Sequence, residues 1–295
     1  MKRIHEKDLF EVSDTLYPNG RLVNAKRLEG GFSCDVFILD IQTASKESKL
    51  VFRSEGSYPA DNSIESEFNL LKALNSTNLP VSEPIYLDTS CKVLYRPFMI
   101  MSYLDGTLGT SNEKVICDHE LMAIQLRNIH QVEIDKLPEL SYRVDPLNQL
   151  LSYIPKGRDW NDIRNFIENL SIDEYKGKKC LLHGDYWPGN IVWNKENIRG
   201  ILDWEYAAIG DPLADLAVTC LDARYSNGEK GMNSFKQKYL GNEKIDEYRF
   251  NLWLIYVAAS TLHYINNWNL DKYTKSIMKR ESKLTILSSF NIIKN

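Results

Sequence analysis

The chain of 295 residues contains one short segment whose polar residues could act together on a hydroxyl group and a metal ion. His183, Asp185 and Asn190 lie around a Pro-Gly turn, between two short apolar runs. A carboxylate such as that of Asp185 can accept the proton of a hydroxyl, and the amide oxygen of Asn190 can bind magnesium. Because four residues separate Asp185 from Asn190, the segment has the spacing of a loop that catalyses phosphoryl transfer.

A second segment, residues 201–205, supplies a further carboxylate. Asp203 stands at the end of an apolar strand and could hold a magnesium ion that bridges phosphate oxygens. Taken alone, each aspartate is more typical of a turn or a helix cap. The two segments in this order, each flanked by strands, favour catalysis.

The segments HGDYWPGN (183–190), LDWE (202–205) and GDPLADLA (210–217) resemble the aminoglycoside phosphotransferase and choline kinase-like family of small-molecule kinases. The resemblance runs from about residue 27 to residue 217 and is weaker in the N-terminal third. It implies an α+β, two-lobed protein-kinase-like fold, with an N-terminal antiparallel sheet plus helix and a larger helical C-terminal lobe. It also implies that Asp185 is the catalytic base, or at least the group that orients the acceptor hydroxyl, and that Asn190 and Asp203 bind Mg²⁺. The residues it assigns to structural support of the site are His183, Asp211 and Asp215.

The same resemblance assigns nucleotide contacts to the N-terminal third. Gly30, Gly31, Phe32 and Ser33 form a glycine-containing turn whose amides could cover phosphate oxygens, although paired glycines also occur in ordinary tight hairpins. Arg53 ends the predicted strand 49–53, at the position where the kinase pattern has a lysine. An arginine fork can still hold phosphates.

Two further nucleotide contacts are implied by position. Glu67 is the expected ion-pair partner of Arg53, with Glu65 as the competing choice. Met101, Ser102 and Tyr103 lie on an apolar strand that resembles the hinge between kinase lobes, where backbone groups would bind the base. The phosphoryl donor implied is ATP or GTP.

Periodicity and turn residues predict the elements that carry these groups. Alternation predicts strands at 22–28, 34–41, 49–53, 80–87 and 92–104, and helical spacing predicts a helix over Ile64–Leu74 with Ser63 as its N-cap. Helices then dominate, with short strands at 180–182, 191–193 and 198–202. We expect a nucleotide-binding lobe over 1–105 and a catalytic and acceptor-binding lobe over 106–295.

Composition excludes several classes of protein. The formal net charge of −4 lacks the basic excess of a dedicated nucleic-acid binder, and the apolar runs are too short to span a bilayer. The five cysteines are scattered, which disfavours a zinc site or a disulfide framework. The first residues include no apolar stretch typical of a secretory leader. We therefore expect a cytoplasmic monomer or dimer with no nucleic-acid or membrane partner.

The sequence gives two opposing indications about the small molecule that accepts the phosphoryl group. The family resemblance implies an aminoglycoside-type antibiotic or a related amino-alcohol or sugar metabolite. Residues 105–145 are acidic on balance, which favours a cationic acceptor, whereas the basic tail from residue 271 would disfavour an aminoglycoside. Aromatic residues within 250–268 could line an acceptor groove or form core, and His130 is interpreted as a packing residue. The alternative function is a nucleotide-binding pseudokinase without turnover. A protein kinase is disfavoured because Asp203 reaches the next motif within a few residues.

Overall fold

The structure is a computed structural model that describes residues 4–16, 20–28, 34–44, 46–56, 60–109, 118–195 and 197–295. In chain order, the elements of the first part are α1 (Asp8–Leu16), β1 (Gly20–Arg27), β2 (Cys34–Thr43), β3 (Glu47–Glu55), α2 (Ile64–Leu74), β4 (Pro84–Asp88), β5 (Phe98–Ser102) and β6 (Thr107–Leu108). The middle part has α3 (His119–His130), β7 (Tyr142–Arg143), α4 (Leu150–Tyr153), α5 (Asn161–Glu168), β8 (Cys180–Leu182), β9 (Ile191–Asn194), β10 (Asn197–Ile201) and β11 (Ala208–Gly210). Three helices complete it: α6 (Pro212–Leu240), α7 (Glu247–Tyr264) and α8 (Lys272–Lys294).

The chain divides into two compact units that alternate along the sequence. Unit 1 comprises Met1–Ile116, Asp135–Leu140 and Pro188–Ala207, and unit 2 comprises Cys117–Ile134, Ser141–Trp187 and Ala208–Asn295. The segment with β9 and β10 therefore belongs to the same unit as the N-terminal sheet. The lobe boundary at residue 105 stays a prediction, because these units are sets of neighbouring residues and not continuous stretches of chain.

Unit 1 contains a five-stranded antiparallel sheet in the order β1-β2-β3-β5-β4. One face of the sheet packs against α1 and buries Phe37, Leu50, Phe52 and Phe98. Successive side chains of a strand point to opposite faces, so Arg53, next to Phe52, lies on the other face. That face is the one that α2 contacts, and the register of β3 thus turns Arg53 towards α2.

Local signals account for α2. The side chain of Ser63 accepts a hydrogen bond from the Ser66 amide and caps the helix at its N-terminus, as predicted. The apolar residues Ile64, Leu70, Leu71 and Leu74 are buried.

The fourth and fifth strands are shorter than the sequence predicts. The predicted strand 80–87 begins only at Pro84, because the Pro80 carbonyl accepts the amide of Ile201 outside the main sheet. The predicted strand 92–104 begins only at Phe98. Proline precedes it and has no amide to donate to a ladder.

Unit 2 is mainly helical, with a small sheet of order β7-β11-β8. Its core is formed by α4 to α8 and includes Leu150, Leu252, Ile255 and Ile286. The spacing of apolar residues predicts two or three helices from residue 245 on, and the structure has two, α7 and α8.

Helix α3 buries a different stripe from the one that the sequence predicts. The predicted apolar face includes Leu121, Ile124 and Ile129, but Ile124 is exposed. Met122, Leu126 and Ile129 are buried instead, and their i, i+4, i+7 spacing forms a continuous stripe.

Candidate active site

The two predicted magnesium ligands lie at the same end of one hairpin in unit 1. Asn190 directly precedes β9, and Asp203 follows β10 by two residues. Because Ile191 pairs with Ile201, the chain enters and leaves this hairpin at one end. The amide of Leu202 also donates to the Asn190 carbonyl at 2.8 Å, which continues the pairing by one step. The hairpin therefore brings the backbones next to Asn190 and Asp203 together.

Asp203 has a left-handed backbone conformation, with φ 66° and ψ 65°. This region is uncommon for a residue with a side chain, and such conformations concentrate at functional sites. The following 3-10 turn, Trp204–Tyr206, is anchored by the buried Trp204, whose indole Nε1 donates to the Ile201 carbonyl at 3.2 Å. The turn thus holds Asp203 at a fixed exit from β10.

Asn62, which sequence reasoning missed, fixes the same turn from outside. Its backbone amide donates to the Glu205 carbonyl at 2.9 Å, and its side-chain Nδ2 donates to the Ala207 carbonyl at 2.8 Å. Asn62 is buried two residues before α2 begins. The turn that follows Asp203 is therefore joined directly to the start of α2.

Arg53 lies among three carboxylates. Its Nε is 3.0 Å from Glu67 Oε2, and its Nη2 is 2.6 Å from Asp203 Oδ1 and 2.8 Å from Glu205 Oε2. The ion pair of Arg53 with Glu67 is the one that the sequence predicts, and Glu65 is exposed. The contact with Asp203 joins the predicted phosphate-binding residue to a predicted metal ligand, which sequence reasoning did not anticipate.

This cluster carries more negative than positive charge. Burial raises the pKa of Glu67 to about 7, against the opposing effect of Arg53. Burial by itself would lower the pKa of Arg53, but Glu67 and Asp203 outweigh it and hold that pKa well above its ordinary value. The guanidinium therefore stays charged, and the excess of carboxylates makes this part of unit 1 suited to a cation.

Asp203 and Asn190 fit a magnesium ion by the chemistry of their donor atoms. Carboxylate and amide oxygens are ligands that Mg²⁺ prefers, and the ion commonly keeps several waters and binds substrate phosphates as well. The Asp203 side chain is 32% exposed, whereas that of Glu205 is 4% exposed, so Asp203 is the carboxylate with access to solvent. Across the described ranges, no group of three or more His, Cys, Asp or Glu residues is arranged to hold a metal. A site here would need oxygens from a bound nucleotide.

The loop with the predicted base is held through its backbone in unit 2. Fully buried Asp215 accepts the amide of His183 at 2.7 Å and that of Gly184 at 2.9 Å. The amide of half-buried Asp185 meets the ring nitrogen Nδ1 of His183 at 3.3 Å. At the following residue, the Tyr186 carbonyl accepts the hydroxyl of Thr219 at 2.7 Å. Asp215 and His183 therefore fix the backbone up to Asp185, and Thr219 fixes it at the residue after.

His130 is part of this support and more than a packing residue. Its Nε2 lies 3.3 Å from Asp215 Oδ2, and its Nδ1 lies 2.7 Å from the Tyr239 hydroxyl. Burial opposes ionisation of Asp215, but the hydrogen bond from His130 and the amide of His183 keep the pKa of that carboxyl below its ordinary value. Asp215 is thus an anion whose oxygens are committed to holding the loop.

Asp211 is the N-cap of α6, as its position before Pro212 predicts. Its Oδ1 accepts the Leu213 amide, and its Oδ2 accepts Arg249 Nε at 2.5 Å and Trp253 Nε1 at 2.8 Å. Arg249 also donates to the carbonyl of Val144. Asp211 therefore joins α6 to α7, and its contacts are those of a structural residue.

Asp222 is a residue near Asp185 that sequence reasoning missed. It is half-buried on α6, and burial together with the charge of Asp185 raises its pKa to about 7. Its position seven residues beyond Asp215, two turns along the same helix, is the signal in the sequence that could have identified it.

The remaining predicted nucleotide contacts are only partly described. Gly30, Gly31, Phe32 and Ser33 lie outside the described residues. Met101 and Ser102 lie in β5, where Met101 pairs with Val51. Ser102 and Tyr103 are half-buried at the end of this strand, and the amide of Ser102 donates to the Glu83 carbonyl. Their assignment to the nucleotide stays a prediction.

Comparison with known proteins gives relatives of two kinds. Acyl-CoA dehydrogenase family member 10 of Mus musculus is 25% identical over 252 residues, which cover 76% of this chain and 23% of that protein. A probable aminoglycoside 3'-phosphotransferase of Lactococcus lactis is 27% identical over 157 residues, which cover 48% of this chain and 57% of that protein. The chain thus spans about a quarter of the length of the first relative.

Solved structures share the fold across nearly the whole chain. Spectinomycin phosphotransferase APH(9)-Ia, in complex with ADP and spectinomycin, has a TM-score of 0.66 at 14% identity and covers 98% of this chain and 99% of its own. Macrolide 2'-phosphotransferase type I has a TM-score of 0.62 at 15% identity, with coverage of 95% and 99%. The predicted α+β fold of the kinase type is therefore confirmed.

The family model described as APH, phosphotransferase enzyme family, matches residues 24–250. The matched range includes the loop of Asp185, the hairpin with Asn190, the Asp203 turn, and Asp215. The resemblance that the sequence motifs indicate is therefore confirmed, and the chain belongs to the phosphotransferase enzyme family.

Proposed function

We propose that this protein is a magnesium-dependent small-molecule kinase. It transfers the γ-phosphoryl group of ATP or GTP to a hydroxyl of a small acceptor, most simply an aminoglycoside-type antibiotic or a related amino-alcohol or sugar metabolite. The observation that carries the proposal is the backbone support of the Asp185 loop by Asp215, which accepts the amides of His183 and Gly184 and so fixes the chain directly before the half-buried Asp185.

Each residue has one task in this reaction. Asp185 accepts the proton of the acceptor hydroxyl at a carboxylate oxygen as the hydroxyl attacks the γ-phosphorus. Asn190 and Asp203 would hold Mg²⁺, which neutralises phosphate charge when bound. Arg53, anchored by Glu67, supplies a fixed positive charge toward the nucleotide phosphates. His183 and Asp215 keep the Asp185 loop in place.

The choice of acceptor class rests on charge. Asp222 adds a half-buried carboxyl near Asp185, and its pKa is raised to about 7. An acceptor that carries an amino group would therefore meet the charge of Asp185 and, once Asp222 has lost its proton, a second negative charge beside it. The solved structures with hygromycin B and with spectinomycin are complexes of aminoglycoside phosphotransferases, and they support an amine-bearing polyol. Neutral sugars and amino alcohols are the natural comparison acceptors.

A second function, nucleotide binding without turnover, is favoured by one observation. Arg53 contacts Asp203, so a cation already lies on the carboxylate that would hold the metal. If this contact persists in the presence of nucleotide and Mg²⁺, turnover would be blocked while binding could remain.

The experiment that tests the proposal is a screen for acceptor-dependent ADP or GDP release. The acceptors are aminoglycosides, macrolides, choline, ethanolamine, homoserine and common sugars, with Mg²⁺ and either ATP or GTP. For the acceptor found, Asp185→Asn should lower kcat by about 10²–10⁴-fold with little change in nucleotide affinity, because the base acts on the acceptor.

The matched control is Asp173→Asn, which removes a carboxylate whose side chain is 90% exposed and should leave kcat unchanged. Full kcat in Asp185→Asn would show that the base is another residue. Nucleotide binding with no release on any acceptor would favour the alternative function.

A further inference from the structure

Three carboxylates contact the guanidinium of Arg53, although one would be enough to hold the side chain in position. Its Nε edge meets Glu67, while one nitrogen, Nη2, is shared between Asp203 at 2.6 Å and Glu205 at 2.8 Å. Glu67 alone would anchor the side chain from α2. The shared nitrogen therefore calls for a separate explanation of Glu205, to which neither the motifs nor the proposed reaction assigns a task.

The two carboxylates that share Nη2 differ in their surroundings. Glu205 is 3% exposed, whereas the Asp203 side chain is 32% exposed. Removing the cationic partner of a buried carboxylate is costly, so the ion pair of Glu205 with Arg53 is held in place by burial. Asp203 can reach solvent and can exchange one cation for another. The permanent contact of Nη2 is therefore the one with Glu205.

The backbone of Glu205 is also fixed. Its carbonyl accepts the amide of Asn62 at 2.9 Å, and it belongs to the 3-10 turn anchored by Trp204. Glu205 hence has a defined position in unit 1, set by the hairpin β9–β10 and by the residues before α2.

An arginine at position 53 makes this arrangement necessary. A lysine ammonium is a compact charge that one carboxylate can satisfy, whereas a guanidinium presents donors along separate edges. Glu67 occupies the Nε edge of Arg53, so a second carboxylate is needed at Nη2. Without Glu205, that carboxylate would be Asp203 alone.

On the basis of the proposed function, we infer that Glu205 is a positioning residue that retains Arg53 when Asp203 turns from the guanidinium to the metal ion. With Glu205 present, Nη2 keeps a charged partner and Arg53 stays beside the nucleotide phosphates. Without it, Arg53 and the metal compete for Asp203. Loss of Glu205 should therefore weaken metal binding, while the residues that take part in the reaction stay the same.

The experiment compares Glu205→Gln in two backgrounds, with arginine or lysine at position 53. The probe is Mn²⁺ in the presence of a non-hydrolysable ATP analogue, and its affinity is measured by electron paramagnetic resonance. In the Arg53 protein, Glu205→Gln should weaken Mn²⁺ binding by about tenfold, the effect of losing one charge-assisted hydrogen bond. In Arg53→Lys, the same change should weaken it by less than about twofold, because the lysine does not need the second carboxylate.

Kinetics give a second readout. At saturating Mg²⁺, Glu205→Gln should retain kcat within about threefold while the Mg²⁺ concentration for half-maximal rate rises, since the role is positional. The matched control is Glu65→Gln, which removes an exposed glutamate of α2 and should change neither value. If Glu205→Gln does not fold, Glu205→Asp keeps the charge one methylene further back and should change Mn²⁺ affinity in the same direction by less.

Three outcomes would overturn the inference. Unchanged Mn²⁺ affinity in Glu205→Gln would show that Glu205 only fills space, and the proposed kinase could still be correct. Equal effects in the arginine and lysine backgrounds would show that Glu205 acts independently of Arg53. If the unaltered protein binds neither Mn²⁺ nor nucleotide, the inference and the proposed function both fail.

Discussion

At the scale of single residues, the carboxylates divide by what their oxygens do. Asp211 and Asp215 are fully buried and accept hydrogen bonds from backbone amides and from buried side chains. Asp185 and Asp203 are more accessible, and the loop of Asp185 is held by its backbone. The four aspartates lie in neighbouring motifs but differ in burial. The two that support the backbone are fully buried, and the two that are predicted to take part in the reaction are more exposed.

Asp222 makes a prediction at this scale. Its pKa is raised from an ordinary 3.8 to about 7, so between these values the folded protein holds a proton that the unfolded chain has lost. This carboxyl therefore costs stability progressively as the pH rises from about 4 to 7, and the cost is complete above 7. Asp222→Asn should raise Tm by roughly 3–6 °C at pH 8 and by little at pH 4, as measured by calorimetry.

The comparison variant is Asp173→Asn, whose exposed carboxyl should give no pH-dependent difference in Tm. A stabilisation by Asp222→Asn that is equal at pH 4 and pH 8 would mean that folding does not raise the pKa of Asp222.

At the scale of elements, short strands set the positions of the loops. Strand β8 ends directly before His183, and β11 ends directly before Asp211. The two strands pair antiparallel, so the Asp185 loop and the start of α6 follow opposite ends of this pair, and both depend on it. Strand β7 pairs with the other side of β11, in parallel. A substitution that distorts β11 should therefore disturb both the loop of Asp185 and the start of α6.

Gly210 in β11 tests this. A Cβ at this position would overlap the carbonyl of Arg143 on β7, and backbone atoms cannot move aside cheaply. Gly210→Ala should destabilise the protein by about 1–3 kcal/mol, the usual cost of overpacking, in denaturant unfolding.

The matched substitution is Gly200→Ala in β10, whose Cβ would meet the end of the flexible Leu104 side chain and should cost less. If both substitutions had the same effect, the close pairing of β7 and β11 would not be the cause.

At the scale of the whole molecule, each unit has its own apolar core and carries part of the predicted machinery. Unit 1 holds Arg53, Glu67, Asn190 and Asp203, and unit 2 holds Asp185 with its supports. In the described part of the chain, no helix combines the length and apolar character needed to cross a membrane.

Mg²⁺ and nucleotide should stabilise the folded protein when they bind together. A ligand that binds only the folded state stabilises it by RT ln(1 + [L]/Kd), about 2.7 kcal/mol at 100 times Kd. We expect Mg²⁺ with a non-hydrolysable ATP analogue to raise Tm, and removal of Mg²⁺ by EDTA to abolish most of the shift.

Asp203→Ala should abolish the Mg²⁺-dependent part of that shift, while Asp185→Asn should retain it because Asp185 acts on the acceptor. A full shift in Asp203→Ala would assign the metal to other residues.

Some elements could be predicted from the sequence because their signals are local. The α2 helix follows from Ser63 and the spacing of its leucines, and Asp211 follows as a cap from the proline after it. The start of β4 could not be predicted, because the Pro80 carbonyl accepts the amide of the distant Ile201. The start of β5, in contrast, follows from the proline directly before it. Likewise, the buried stripe of α3 depends on which neighbours it meets.

The sequence by itself determined the family and predicted the chemistry, because Asp185, Asn190 and Asp203 lie within short motifs with characteristic spacing. Only the tertiary structure decided which charges meet. Arg53 and Asp203 are 150 positions apart, and β3, α2 and the turn after β10 must come together before three carboxylates surround one guanidinium. Such contacts depend on strand register and side-chain direction, and neither can be predicted from the spacing of residues along the chain.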